Sequence, residues 1–166
     1  MDSNASLAAL CGALLALWLA PIATAQEVLD PLAIKAIAEV ESRSTEGGRE
    51  VVKLVPADRV VPGDRVIYTL EVRNTTAAAL PAPTVTHPVP DHMRYIADSA
   101  VGPGAEVSYS VDGGHTFLPA EDLKVLGVGG QLRPAVAADY THIRWQLKNS
   151  LRANSVAFVR FRALVK

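Results

Sequence analysis

The sequence predicts an all-β protein, a β-sandwich of Greek-key type with an N-terminal hairpin extension. Three observations lead there. Apolar and polar residues alternate with a period of two in several short runs. Clusters of Gly, Pro, Asn and Asp separate those runs at short intervals. No segment after the first 25 residues reads as a long helix.

The clearest run is V-V-P-G-D-R-V-I-Y-T-L-E-V-R-N-T, residues 61–76. Pro62-Gly63-Asp64 forms a turn that leads into it. Val66, Tyr68, Leu70 and Val72 point one way; Ile67, Thr69, Glu71 and Arg73 point the other. The expected strand has one face in a core and the other mostly in water. Asn74-Thr75 ends it.

Upstream, Leu32–Ser42 supports two readings. Its Ala, Glu and Lys content suits a helix. Its alternation of Ile34, Ala36, Ala38 and Val40 with Lys35, Ile37, Glu39 and Glu41 suits a strand. The turn cluster at Ser44–Gly48 and the β-branched run at Glu50–Val55 favour a hairpin. The expected division is a hairpin extension over 26–54 and a sandwich domain over 55–166.

Downstream, Pro81, Pro83, Pro88 and Pro90 punctuate one stretch. Proline cannot donate to a sheet ladder, so Thr84-Val85-Thr86 is expected on an edge or in a crossover. Met93–Ile96 returns to the core. Glu106–Val111 places Val107, Tyr109 and Val111 on one face. Asp112-Gly113-Gly114 is a tight turn. Leu123–Leu126 is a short run before a Gly-rich turn. Two clean strands close the chain. In His142–Leu147, Ile143, Trp145 and Leu147 share a face. In Ser155–Val165, Val159, Phe161, Ala163 and Val165 oppose Phe158, Arg160, Arg162 and Leu164. The count is about eight strands, with Trp145 at the centre of the core.

Residues 1–25 stand apart. Leu7–Ala20 is almost wholly apolar, Pro21 breaks the run, and Ala23-Thr24-Ala25 precedes Gln26. This is the layout of a secretory signal peptide cut after Ala25, although no Lys or Arg precedes the apolar run. The run is short for a membrane span, which needs about 20 apolar residues. No stable span is expected after cleavage. Cys11 is the single cysteine, lies inside the run and follows Leu10, so it does not fit a lipoprotein signal. Cleavage leaves an exported domain without disulfides, held by packing alone. The chain has 16 basic and 17 acidic residues, Asp2 being the one acidic residue of the leader. That balance gives no electrostatic footprint for nucleic acid. The basic residues near the end alternate along strand-like runs, as on a solvated sheet face.

Three segments together resemble a known family: residues 61–76, V-T-H-P-V-P-D-H-M-R-Y at 85–95, and I-R-W-Q-L-K-N-S-L-R-A-N-S-V-A-F-V-R-F-R-A-L-V at 143–165. Their order is similar to the bacterial repeat called domain of unknown function 11. Thr76, His87 and Val89 depart from its usual Gly, Asp and Leu. The resemblance covers residues 55–166 as a single copy. It implies an immunoglobulin-like sandwich on an exported, cell-wall or outer-membrane protein. It implies no catalytic residues.

The residues themselves point to no reaction. Ser110–Phe117 matches the Asp-box pattern, Ser-x-Asp-x-Gly-x-Thr-aromatic. Its physical logic is structural: Asp112 accepts turn amides, the glycines allow positive φ, and the aromatic plugs into the core. One copy does not make a propeller. His87, His92, His115 and His142 have no zinc spacing and read as loop or rim residues. Glu121, Asp122 and Asp139 are isolated carboxylates in turns. No nucleophile elbow is present. The expectation is a protein that is not an enzyme, with no metal, cofactor or catalytic site. Its role is structural or interactive, at an envelope protein partner met through a sheet edge or the Pro-rich segment. Its place is the periplasm or the cell surface. The alternative is a carbohydrate-binding module, for which Tyr95 and Tyr140 are the platform candidates.

Overall fold

The computed structural model describes residues 30–166. The leader expected at 1–25 lies outside the described residues. Ten strands run in order: β1 (Leu32–Glu46), β2 (Arg49–Pro56), β3 (Arg65–Asn74), β4 (Thr84–Pro88), β5 (Met93–Tyr95), β6 (Ala105–Ser110), β7 (Lys124–Leu126), β8 (Leu132–Pro134), β9 (His142–Leu147) and β10 (Val156–Val165). One sheet has the order β2-β1-β3-β10-β5, a second has β4-β9-β6, and β7-β8 is a small ribbon. Every pairing is antiparallel.

The alternation read from the sequence accounts for the core. Leu70 and Val72 from β3 and Val159, Phe161 and Ala163 from β10 face inward. Val85, Ile143, Trp145, Leu147 and Tyr109 meet them from the second sheet. Trp145 and Phe161 are fully buried, with ring centroids 6.1 Å apart. The result is an all-β sandwich. The prolines act as their chemistry requires: β4 is an edge strand.

The ambiguous segment at 32–42 is strand. β1 and β2 form a hairpin around Gly47-Gly48, both at positive φ, with Glu46 opposite Arg49. The turn is tighter than the Ser44–Gly48 cluster suggests, because the strand runs on through Glu46. β1 also pairs with β3 from Leu32↔Asn74 to Val40↔Val66. The first half of the hairpin is therefore built into the main sheet, and its second half extends past β3.

Two local expectations need correction. The outer face of β3 is not all in water: Ile67 and Thr69 are buried. As a central strand, β3 has neighbours on both sides, with Ile67 between Glu39 and Arg162. Arg160 Nε donates to Thr69 Oγ1 at 3.0 Å, its stem lying along that face. The strand count is ten, not about eight, because the three-residue strands β5, β7 and β8 are too short to show a period. Of the loop and rim readings of His87, the rim one holds. It lies on β4 and packs at the rim of the inter-sheet core, 5.6 Å from the Phe161 ring and 6.1 Å from Tyr68.

Candidate functional site

The Asp-box turn joins β6 to the segment that returns at Leu118. Asp112 Oδ1 accepts the Ser110 hydroxyl at 2.6 Å, the His115 amide at 3.1 Å and the Thr116 amide at 2.9 Å. Ser110 Oγ accepts the Gly114 amide at 2.9 Å, and Thr141 Oγ1 accepts the Gly113 amide at 3.1 Å. The bonds from Ser110 and the turn amides hold the Asp112 carboxyl well below the usual range. These donors stabilise a turn and leave that oxygen no capacity for a substrate. Phe117 does not plug the core, as the motif suggests. It lies under the Arg144 guanidinium, 3.6 Å from it, on the outside of the second sheet. Phe117 can go there because β9 turns Arg144 outward and Trp145 inward.

Beside this turn lies a cleft of about 350 Å³, lined by Pro88, Val89, Arg94, Tyr140, His142 and Lys166 among others. Tyr140 stacks on Tyr109 at 4.5 Å, and the Tyr95 and Tyr109 hydroxyls are 3.0 Å apart. Tyr95 also accepts the Ala100 amide at 3.0 Å. Burial, then the bond to Tyr95, pushes the Tyr109 hydroxyl far up, so it stays protonated. Both tyrosines expected to serve a sugar platform are engaged here: Tyr95 is buried and Tyr140 half-buried. Among the described residues, Phe158 is the exposed aromatic ring outside this cluster, and it sits with Val101 and Pro103 along a shallow pocket.

The carboxylates and histidines do not converge. Asp139 takes both Arg133 nitrogens, at 2.7 and 2.8 Å, and the Val136 amide at 2.8 Å. This clasp lowers the Asp139 carboxyl below its ordinary value, Arg133 being the main cause. Glu121 and Asp122 lie on a separate short 3-10 turn. His92 and His115 are exposed, and His142 approaches Thr141 Oγ1 at 3.2 Å. No group of three His, Cys, Asp or Glu residues among those described is placed to hold a metal ion.

One buried polar residue that the sequence does not flag ties the strands together. Asn74 is fully buried at the end of β3. Its Nδ2 donates toward the carbonyls of Ala78 at 2.7 Å and of Leu151 and Arg152 at 3.0 Å. Its Oδ1 accepts the Thr76 amide at 2.9 Å and hydroxyl at 2.8 Å. In the sequence it reads as a turn former that merely ends a strand.

The remaining feature is an edge. β2 is outermost in the larger sheet. The pairing Glu46↔Arg49 and the bond from the Ala57 amide to the Ala38 carbonyl fix which groups face β1. They are those of the odd-numbered residues, so the N–H and C=O of Val52 and Leu54 face outward. Their side chains are 51% and 44% exposed. No proline interrupts Arg49–Val55. Such an edge is a template for another strand.

Fold and edge together define an all-β sandwich domain whose edge strand β2 pairs on one side only among the described residues. Comparison with protein-family models, curated proteins and solved structures finds no match.

Proposed function

We propose that this chain is a non-enzymatic protein of the exported cell envelope, a structural or protein-interaction module that works by strand pairing. The observation that carries this reading is the edge of β2, where the backbone groups of Val52 and Leu54 have no strand partner among the described residues and lie beside exposed apolar side chains. Strand addition supplies affinity through main-chain bonds and specificity through alternate side chains. The polar clusters at Asp112, Tyr109 and Asp139 are spent on internal bonds, which fits a scaffold. Export rests on the leader layout at 1–25, and the resemblance of the motif order to exported bacterial repeats agrees with that compartment.

The test is a photo-crosslinking residue placed at Leu54 in the full chain, with cells fractionated before and after irradiation. The reading predicts a discrete adduct in the envelope or periplasmic fraction. A chain held in the cytosol with no adduct at position 54 contradicts it.

A further inference from the structure

Beyond Val40 the β1–β2 hairpin pairs with no third strand among the described residues. β3 pairs with β1 only up to Val40, while the hairpin runs on to Glu46 and returns through Leu54. A two-stranded hairpin alone is marginal in water. This one also leaves Val52 and Leu54 exposed. Of the other edges in the two larger sheets, β6 is covered in part by the Tyr109–Leu118 bridge, and two are blunted. β4 is bracketed by Pro81, Pro83, Pro88 and Pro90, and β5 is three residues long. The edge of β2 carries no such device before Pro56.

We propose that β2 pairs with β2 of a second copy, antiparallel across a two-fold axis at Val52, so that two five-stranded sheets become one of ten. The inference rests on the strand-pairing reading above and names its partner. Its basis is that the edge sequence is complementary to itself in one register. Outward-facing groups alternate, so a two-fold pairing can be centred on any residue from Glu50 to Leu54 and each gives a distinct opposition. Centring on Glu50 sets Glu50 against its own copy. Centring on Val51 sets Arg49 against Lys53 of the second copy. Centring on Lys53 sets Lys53 against itself. Like charges directly opposite oppose pairing. Centring on Leu54 sets Val52 against Pro56, which has no N–H to give. Centring on Val52 opposes no like charges and sets Pro56 against Gly48, in the turn beyond the paired strand. Val52 meets Val52, Lys53 meets Val51, and Leu54 covers the stem of Glu50.

The register makes the test specific. In a Cys11→Ser background position 52 can hold the chain's single thiol. In the proposed dimer the two Val52 Cα atoms are about 5.5 Å apart, within disulfide range. The two Leu54 positions are then about 13 Å apart along the strands, out of range. Val52→Cys should form a covalent dimer on mild oxidation, and Leu54→Cys should not. The wild-type full chain should sediment as a reversible dimer. Val52→Pro removes one N–H from each copy and should weaken that dimer at least about tenfold. Its unfolding midpoint, measured on monomer, shows whether the sandwich is intact. If the proline variant does not fold, the cysteine pair still decides. A wild-type chain that is monomeric at every concentration overturns the proposal, as does equal crosslinking at 52 and 54. Monomer combined with an adduct of another protein's mass at Leu54 overturns self-pairing alone. Monomer with no adduct overturns the strand-pairing reading as well.

Discussion

Replacing Asn74 by Asp changes almost no volume and reverses one set of hydrogen bonds. In the native chain Nδ2 donates toward three carbonyls and Oδ1 accepts two donors from Thr76. An aspartate keeps the acceptor and sets a second, anionic oxygen 2.7–3.0 Å from the Ala78, Leu151 and Arg152 carbonyls. Asn74→Ala sets the baseline. It removes roughly two net hydrogen bonds at about 1 kcal/mol each and leaves a small void, for a loss of about 2–3 kcal/mol. The Leu151 carbonyl keeps its bond from the Leu80 amide, which limits that loss. Asn74→Asp should cost more at neutral pH, about 3–5 kcal/mol, because a charge is buried without a partner. Burial raises its pKa in the folded state above the unfolded value of about 3.9. The unfolded state therefore sheds its proton first as pH rises. The penalty should grow as pH climbs above about 4 and shrink on acidification, where the protonated acid can donate one bond. Urea unfolding of both variants at pH 7 and pH 4 measures this. With a slope of about 1–3 kcal/mol/M, a 3 kcal/mol loss moves the midpoint by about 1 M or more. The reasoning is refuted if aspartate costs no more than alanine at pH 7. It is also refuted if the aspartate penalty does not change with pH.

Two further outcomes follow from the core. Trp145 is fully buried and packs against Phe161, so Trp145→Ala should lose at least about 3 kcal/mol, read as a fall in the urea midpoint. An unchanged midpoint would mean that β9 faces the other way. His87 is held below the ordinary histidine value, mainly by burial, with its bond to the Pro88 carbonyl pulling the other way. Its neutral form is favoured in the fold, so its contribution is present above the unfolded value of about 6.5 and is lost as pH falls below it. His87→Phe should flatten that part of the stability profile between pH 7 and pH 5, and an identical slope in the variant would contradict the assignment.

Much of the fold was legible because period-two alternation reports burial directly. Ile143, Trp145 and Leu147 alternate on β9, and Val159, Phe161 and Ala163 on β10, and all are buried. The prolines around β4 announce an edge because a missing N–H can only sit where no ladder needs it. What stayed hidden depends on partners distant in sequence. Asn74 reads as a turn residue because Leu151 and Arg152, which it bonds, lie far along the chain. Ile67 and Thr69 look solvent-facing until β1 and β10 flank them. Phe117 reads as a plug until β9 presents Arg144 outward. The open edge was expected in kind but not in place. Which strand is outermost follows from the order β2-β1-β3-β10-β5, and local pattern does not encode that order.

Amide hydrogen exchange along β2 tests the central claim most directly. In dilute protein the Val52 and Leu54 amides should exchange quickly, while those of Val51, Lys53 and Val55 are protected by β1. Raising the concentration should protect Val52 and Leu54 as the edges pair. Protection of Val52 and Leu54 in dilute monomer, or fast exchange at every concentration, would contradict an open edge that works by strand pairing.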